Sequence, residues 1–349
     1  MEREFYLVNI GLGGKQVILK YESGQLTGSI GGRVFGGQPG QNPPLMITSM
    51  FAAGDKILQS RKQYKFDRNV ARSQIERILE LEAITGLPSL VDFVANSTEE
   101  IRGYIEMLLQ ITNESGLPFS SDMFLKKDKL ITAKYVASIG GLDRYLYNSL
   151  SFFETENLQD EIEAVAKIGV KHLLLALWDK NTELSEGRMR CLDKMLPLLE
   201  PYSFETILCD TTPLSLPASM IGNRAAELIK SKYGLLSGCG RNNGVLNWWR
   251  ASGEMGGVDT YKSVDTAMEA LGSMGADFVI YGPASSADRV YPAVAIAQCN
   301  LALQVMDEYK SLPENMNHPI YKMFPKAVKM YRDMIAGVKI KRRWLMKPQ

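Results

Sequence analysis

Two nearby stretches carry the strongest evidence for the fold: Gly36-Gly37-Gln38-Pro39-Gly40 and, a few residues later, Leu45-Met46-Ile47-Thr48-Ser49-Met50-Phe51. Glycine and proline relax or pre-set the backbone, so the first five residues predict a rigid rim loop around the amide of Gln38. The second run has the nearly continuous apolar character of a strand that is buried on both faces. Similar apolar strands, each ending in Asp, Asn, Ser or Gly, recur to about residue 286. This recurrence predicts a barrel.

Units of one strand and one helix follow each other through most of the chain. The first predicted helix begins near Asp67, and Gly86 with Pro88 ends it, because glycine caps a helix and proline cannot continue it. Ser97 and Glu100 predict the start of the next helix. Eight repeats with short connections are typical of an α/β protein with a (β/α)8 TIM barrel, and a doubly wound open sheet is the alternative. The predicted strands are 44–51, 90–95, 118–124, 144–151, 171–179, 204–212, 234–240 and 277–281.

The segments on either side of the barrel have different patterns. Residues 5–35 alternate short apolar pieces with glycine turns, which predicts an N-terminal β-hairpin lid over one barrel end. The turn Gly11-Leu12-Gly13-Gly14 has the glycines of a dinucleotide-binding loop, but no helical pattern follows it, so we interpret it as a hairpin turn. The predicted organisation is a hairpin segment and rim loop (1–43), a barrel domain (44–310) and a C-terminal helical appendage (311–349).

Composition restricts the class of protein. The 349 residues are 45% hydrophobic and 23% charged, and the formal net charge of +1 argues against a nucleic-acid-binding protein. The basic run 339–343 is interpreted as a solvated terminus, with a docking patch as the alternative. No run approaches the ~20 apolar residues of a membrane span. The charged start, Met1-Glu2-Arg3-Glu4, is not typical of a signal peptide, and the widely spaced cysteines predict reduced thiols, so we expect a cytoplasmic protein.

Cysteine and histidine usage narrows the chemistry. The cysteines contain no Cys-x-x-Cys pair and predict reduced, packed thiols. With only two histidines, His172 and His318, the chain has no spacing suited to zinc, so we expect no metal site. The four cysteines are Cys191, Cys209, Cys239 and Cys299.

Polar side chains stand at the predicted carboxyl ends of the strands, where the loops of a barrel converge on one pocket. Each of them has a simple helix N-cap as its alternative. Asp122 and Asp210 are the stronger candidates, because both end strands of apolar or small residues. Two carboxylates, two carboxamides and a glycine loop suit a flat ligand with several donors and acceptors, such as a pterin. The candidates are Asp122, Asn148 with Ser149, Asp179, Asp210 with Thr211, Asn243 and the turn Tyr281-Gly282-Pro283.

Several of these candidates belong to longer motifs. The motifs are Phe35-Gly36-Gly37-Gln38-Pro39-Gly40, Tyr147-Asn148-Ser149, Asp210-Thr211-Thr212-Pro213, Asn243 five residues before Trp248, and Tyr281-Gly282-Pro283 followed by Tyr291-Pro292-Ala293-Val294-Ala295. Together they resemble the H subunit of tetrahydromethanopterin S-methyltransferase, and its bacterial relatives that move a methyl group from a methylcorrinoid protein to tetrahydrofolate. The resemblance covers about residues 30–305. It implies a barrel, usually a homodimer, that binds the pterin at the strand ends beneath the cobalamin of a separate corrinoid protein.

The resemblance also implies a role for individual residues. Asp210 resembles the carboxylate that holds the amino-pyrimidine edge of the pterin, Asn148 the carboxamide beside it, and Asp122 the carboxylate near N8. Asn243 resembles the amide that reaches N5, the atom that exchanges the methyl group. Gln41 departs from the family's usual acidic residue, and Cys-Gly-Arg-Asn-Asn replaces the family's Ser-Gly-Ile-His-Asn. The predicted catalytic residues are Asn243 and Asp122, and the predicted pterin ligands are Asp122, Asn148, Ser149, Asp179, Asp210, Asn243 and Gln38.

The expected reaction is methyl transfer from a methyl-Co(III) corrinoid protein to N5 of tetrahydrofolate, in glycine betaine or methylamine catabolism. Neither histidine lies in the Asp-x-His-x-x-Gly sequence that ligates cobalamin. We therefore expect the partner to carry the cobalamin and this chain to bind no cofactor of its own. The alternatives are a tetrahydromethanopterin-specific methyltransferase, a relative of dihydropteroate synthase with Arg241 as the basic strand-end residue, and a non-catalytic subunit that docks the corrinoid protein.

Overall fold

A computed structural model describes residues 18–60, 64–112, 116–153 and 157–338. The strands are β1 (Thr27–Ile30), β2 (Arg33–Gly36), β3 (Leu45–Met50), β4 (Leu58–Ser60), β5 (Lys65–Phe66), β6 (Ser89–Val94), β7 (Phe119–Asp122), β8 (Tyr145–Ser151), β9 (His172–Ala176), β10 (Thr206–Asp210), β11 (Leu236–Gly240) and β12 (Phe278–Tyr281). The helices are α1 (Arg68–Thr85), α2 (Thr98–Thr112), α3 (Lys126–Ser138), α4 (Gln159–Ile168), α5 (Ser185–Leu199), α6 (Leu216–Tyr233), α7 (Asn242–Ala251), α8 (Gly257–Ser273), α9 (Ala287–Tyr309), α10 (Pro319–Met323) and α11 (Pro325–Ile335).

Eight parallel strands close into a barrel in the order β3, β6, β7, β8, β9, β10, β11 and β12. The last strand pairs with the first, so that Phe278 stands opposite Leu45. Helices separate consecutive strands along the chain. The predicted TIM barrel is therefore confirmed, and the open-sheet alternative is wrong. A short antiparallel hairpin of β4 and β5, which the sequence pattern did not predict, lies between β3 and α1.

Alternate residues of the barrel strands point inward, and in β3, β6, β8 and β10 they change from apolar to polar towards the carboxyl end. The inward positions near the amino ends form an apolar cluster. Two positions further along, the inward residues line a pocket. Since side chains alternate across a strand, one face carries both the core and the site. The apolar members are Leu45, Ile47, Leu90, Leu146, Leu174, Leu208, Leu236 and Phe278.

The hairpin of β1 and β2 closes the amino end of the barrel. Its Ile30 and Phe35 side chains are fully buried in the inner apolar cluster. A side chain at Gly28 would collide with the Phe35 ring, because a Cβ placed there would lie 2.6 Å from it. The hairpin lid is thus confirmed for residues 27–36, whereas residues 18–26 form no strand, contrary to the prediction, and the part predicted over residues 5–17 lies outside the described residues.

The helical layer ends where the sequence indicates. Asp67 accepts hydrogen bonds from the amides of Asn69 and Val70 at the start of α1, and Gly86 caps its end with φ of 75°. The predicted C-terminal appendage is helical in its described part, where Ile320 and Val328 pack against Cys299 and neighbouring residues of α9.

All four cysteines are buried and free of disulfides. None of the helices in the described ranges combines the length and apolar content needed to cross a bilayer.

The loop from Gly36 to Gly40 lies at the amino end of the barrel, so its assignment to the pocket rim is wrong. Residues that precede a parallel strand emerge at the end opposite to its carboxyl terminus. The Gln38 side chain accepts a hydrogen bond from the Tyr21 amide (2.9 Å) and donates to the Tyr21 carbonyl (3.1 Å). Gln38 therefore anchors the chain ahead of β1 and is not a pocket residue.

We expect Phe35→Ala to destabilise the protein by about 3–5 kcal/mol, because it leaves a cavity in the inner apolar cluster. Val34→Ala is the matched control, since the Val34 side chain is 41% exposed on the other face of the same strand. It should cost less than about 1 kcal/mol. Urea unfolding followed by circular dichroism measures both, and equal small losses would show that the hairpin does not complete the core.

Candidate active site

A cavity of about 720 Å³ opens at the carboxyl end of the barrel. Its size is typical of a small-molecule site, which spans roughly 300–1,000 Å³. Side chains from most of the barrel strands and the loops that follow them converge on it. Its polar lining consists of Ser49, Asp55, Asp92, Asn96, Asp122, Lys129, Asn148, Ser149, Ser151, Asp210, Thr212, Asn242, Asn243, Arg250 and Tyr261, together with Gly240 and Gly282.

A second cavity, of about 700 Å³, lies at the opposite end between the hairpin, α1 and the C-terminal region. Its most buried charged groups, Arg33 and Glu82, form an ion pair 3.0 Å apart. We assign the active site to the carboxyl end, because barrel strands present their functional side chains there.

Asp92 is the centre of the hydrogen-bond network in the pocket. It is 1% exposed, and its Oδ1 accepts hydrogen bonds from Ser120 Oγ (2.5 Å) and Asn148 Nδ2 (3.1 Å). Its Oδ2 accepts one from Ser49 Oγ (3.3 Å). The carboxylate thus joins four neighbouring strands and orients the Asn148 amide, whose oxygen and second N–H remain for a ligand.

Asp92 was missed in the sequence, although a signal for it exists. It is the only charged residue in the apolar run from Ser89 to Val94. Two positions before it stands Leu90, which points into the barrel. Period-two alternation therefore directs Asp92 inward as well, one layer closer to the carboxyl end.

Asp122 and Asp210 are brought together in the pocket as predicted. Asp210 is 9% exposed, and its Oδ1 accepts a hydrogen bond from the Thr212 amide (2.8 Å). Burial raises the pKa of Asp210 to about 6. The Asp122 side chain opens into the pocket, but desolvation by the surrounding walls, with the nearby charges of Asp92 and Asp210, raises its pKa to about 7. Both carboxyl groups can change protonation near neutral pH.

Two neighbouring asparagines reach the mouth of the pocket where β11 turns into α7. Asn242 Nδ2 donates to the Gly282 carbonyl (2.9 Å), whereas Asn243 is exposed at the mouth. Arg241 is fully buried outside the pocket, where its Nε donates to Asn223 Oδ1 (2.8 Å) and its Nη1 lies 3.4 Å from Glu269 Oε2. Arg241 therefore anchors this turn and does not supply the basic pocket group that a dihydropteroate synthase type of reaction would use.

The prediction that Asp179 belongs to the pocket is wrong. Strand β9 ends at Ala176, so Asp179 lies in the following loop rather than at the strand end. Its carboxylate accepts a hydrogen bond from the Asn181 amide (2.8 Å) and pairs with Arg190 Nη2 (3.1 Å). The hydrogen bond from the Asn181 amide is the main cause of a lowered pKa of Asp179, and the contact with Arg190 lowers it further. Asp179 stabilises the loop.

Within the described part of the chain, no group of three or more His, Cys, Asp or Glu side chains is arranged to hold a metal ion. The arrangement offers acceptors from Asp92, Asp122 and Asp210 and mixed donors and acceptors from Asn148 and Asn243. Such a set can hold a flat heterocycle by hydrogen bonds along its edges.

Fold and site together define a TIM-barrel protein with a carboxylate- and carboxamide-lined pocket at its strand ends. The family model described as Tetrahydromethanopterin S-methyltransferase MtrH subunit matches residues 23–309. The chain therefore belongs to this family.

Individual relatives agree with this membership. The H subunit of tetrahydromethanopterin S-methyltransferase from Methanosarcina barkeri is 26% identical over 320 residues, covering 88% of this chain and all of that protein. Its counterpart from Methanocaldococcus jannaschii is 28% identical over 306 residues, covering 82% of this chain and 94% of that protein. Among solved structures, the dihydropteroate synthase of Xanthomonas albilineans superposes with a TM-score of 0.52 at 15% identity, covering 82% of this chain and 99% of that one. At that identity the likeness shows the fold alone.

The opposite pKa shifts of two aspartates predict opposite effects of pH on stability. Because the pKa of Asp210 is raised in the folded state, its ionised form destabilises the folded protein. This destabilisation is absent below pH ~4, where Asp210 is protonated in both states, and is complete above its folded-state pKa of about 6. We expect Asp210→Asn to stabilise the ligand-free protein by roughly 1–3 kcal/mol at pH 8, and the gain to vanish as the pH falls towards 4.

Asp179→Asn is the control with the reverse sign. Because the pKa of Asp179 is lowered in the folded state, its ionised form stabilises the folded protein at pH values above the pKa that Asp179 has in the unfolded chain. The substitution should therefore lower the melting temperature at pH 8 and have less effect near pH 3. Thermal melts across this pH range measure both variants. A loss of stability in Asp210→Asn at pH 8 would contradict the burial argument.

Proposed function

We propose that this chain transfers a methyl group from a methyl-Co(III) corrinoid protein to N5 of tetrahydrofolate, in the catabolism of glycine betaine or a related methylamine. The observation that carries the proposal is the convergence of Asp122, Asn148 and Asp210 from three strands on one pocket, in a chain of this family. The relatives are named as tetrahydromethanopterin S-methyltransferases, and tetrahydromethanopterin is a tetrahydropterin like tetrahydrofolate.

The pocket chemistry matches the edges of a pterin ring. The 2-amino group and N3–H of a pterin are adjacent donors, and the ionised Asp210 carboxylate accepts both at once. Asn148, whose amide is oriented by Asp92, complements the mixed donor and acceptor groups beside them. Asp122 accepts from the N–H at N8. Because carboxylates accept and carboxylic acids also donate, this recognition needs Asp210 in its ionised form.

The chain then acts by placement and electrostatics. N5 uses its lone pair to attack the methyl carbon, the carbon–cobalt bond breaks with both electrons remaining on cobalt as Co(I), and N5 loses its proton. Holding N5 and the methyl carbon in line, with water excluded, removes much of the entropic cost of this displacement. Asn243 hydrogen-bonds N5 and stabilises its change in charge. The proton that N5 loses passes to solvent at the pocket mouth, because Asp122 is engaged at N8 on the opposite side of the ring.

The corrinoid is proposed to arrive on a partner protein and to dock over the strand ends. Both histidines lie away from the pocket, which supports this view. His172 begins β9 at the amino end, with Nε2 3.2 Å from the Asp143 carbonyl oxygen, and His318 precedes α10 with its Nδ1 bonded to the Ile320 amide. A cytoplasmic homodimer without a resident cofactor completes the proposal.

The second candidate is transfer to or from tetrahydromethanopterin, which the names of the curated relatives favour. A non-catalytic docking subunit is a weaker explanation, because the carboxylate and amide set is intact. Tetrahydrofolate and tetrahydromethanopterin share the pterin edge that the pocket addresses, so binding of each must be compared.

Calorimetric titration at pH 7.5 tests the pterin site. We expect saturable binding of tetrahydrofolate, and Asp210→Ala should weaken it at least about 10-fold, because a charged acceptor for two donors is lost. Wild-type affinity should also fall as the pH drops below about 7, where Asp122 and then Asp210 take up a proton. Asp179→Ala, outside the pocket, is the control. Unchanged affinity in Asp210→Ala would refute the assignment, and exclusive binding of tetrahydromethanopterin would establish the second candidate.

Asn243→Ala should reduce turnover more than binding. Loss of the carboxamide oxygen that accepts from N5 as positive charge develops there lowers kcat by roughly 100-fold, while the Kd for tetrahydrofolate should change less than about 3-fold. Methyl transfer is followed by the absorbance change on conversion of methylcob(III)alamin to cob(I)alamin. An unaltered rate would remove Asn243 from the mechanism, and a loss confined to Asn242→Ala would assign its role to the neighbouring amide.

A further inference from the structure

Strand β8 contains one extra residue beside the pocket. Asn148 stands opposite Leu174 of β9 and Leu150 stands opposite the next residue, Leu175, so Ser149 is bulged out of the register. Asn148, which precedes the bulge, points into the barrel as Leu146 does, and the bulge turns Leu150 outward into the apolar cluster that contains Tyr147. A bulge re-aims the side chains that follow it, and it needs a partner for its displaced backbone.

Lys129 of α3 provides that partner. Its Nζ donates to the Ser149 carbonyl at 2.7 Å and pairs with Glu161 Oε1 of α4 at 2.9 Å. The Tyr147 hydroxyl donates to the same Glu161 oxygen at 2.7 Å. The side chains of Lys129 and Glu161 are 7% and 3% exposed, so this cluster is shielded from solvent. It joins two helices to the bulge of β8.

Lys129 also lines the pocket, where it faces an excess of negative charge. The charged groups that act on Asp122 are Asp92 from β6 and Asp210 from β10, which raise its pKa, and Lys129 from α3, which lowers it. A buried lysine is costly to desolvate, and an apolar side chain would suffice if the position served only to fill space. Its position between the bulge and the carboxylates indicates a role in the site.

We propose that Lys129 is a positioning residue of the pocket, which holds the Ser149 bulge so that Asn148 meets the substrate and which supplies the positive charge facing Asp122. The proposal rests on the proposed pterin function for its substrate, but its effect on Asp122 can be measured in the ligand-free protein.

Three variants separate its two roles. Lys129→Met alone leaves Glu161 buried without its cation and is at risk of unfolding, so the informative variant is Lys129→Met with Glu161→Gln, whose amide oxygen still accepts from Tyr147. Lys129→Arg keeps the charge but places a larger, planar group at the bulge. Lys127→Met, at an exposed position of the same helix, is the control.

Titration of the Asp122 carboxyl carbon by NMR is the first measurement. In the double variant we expect the Asp122 midpoint to rise by up to about one pH unit, because Lys129 lowers the pKa of Asp122, whereas Glu161, whose charge is removed with it, is not among the groups that act on Asp122. Lys129→Arg and Lys127→Met should keep the wild-type midpoint. An unchanged midpoint in the double variant overturns the electrostatic role.

Tetrahydrofolate affinity across pH 5.5–8.5 is the second measurement. The double variant should lose affinity at higher pH than wild type, in step with the Asp122 titration. Lys129→Arg should bind several-fold more weakly at every pH, with no shift of the profile, and wild-type affinity in Lys129→Arg overturns the positioning role. If wild type itself binds no tetrahydropterin, the proposed function fails, whereas the Asp122 titration still decides whether Lys129 acts on the pocket.

Discussion

Parallel pairing of β12 with β3 is the constraint on which the rest of the structure depends. It closes the sheet, so all eight strands begin at one end and finish at the other. The segments that precede the strands therefore lie at the amino end of the barrel, and the loops that follow the strands lie at the carboxyl end. The loop around Gln38 is therefore sent to the amino end, while Asp92, Asp122 and Asp210 meet at the opposite end although more than a hundred residues separate the first from the last.

The two ends of the barrel have different roles. At the amino end, Ile30 and Phe35 complete an apolar cluster that stabilises the fold. At the carboxyl end, inward-facing positions further along the strands carry Asp92 and Asp210, whose burial raises their pKa and disfavours the folded chain near neutral pH. These acids therefore lower the stability of the fold but supply preorganised hydrogen-bond acceptors in the pocket, as is common where binding needs polar groups that are shielded from water.

Buried ion pairs hold backbone segments in place at both ends of the barrel. Lys230 pairs with Asp277 at 2.5 Å and also donates to the Gly37 carbonyl, which ties the hairpin loop to the barrel. Arg241 and Glu269 fix the turn that carries the two mouth asparagines, and Lys129 and Glu161 fix the bulge of β8. Such pairs add little net stability after desolvation, but breaking one is costly, so they restrict the backbone to one arrangement.

The barrel, its strand order, the helix ends at Asp67 and Gly86, and the candidates Asp122, Asn148 and Asp210 follow from the amino-acid sequence, because local periodicity and capping are properties of neighbouring residues. Which polar residues share a pocket depends on how the barrel closes. Gln38 was placed at the wrong end and Asp179 three residues beyond its strand, while Asp92 and Lys129 went unnoticed within ordinary strand and helix patterns. Their roles depend on barrel closure and on the register of β8, which bring together residues that are distant in the chain.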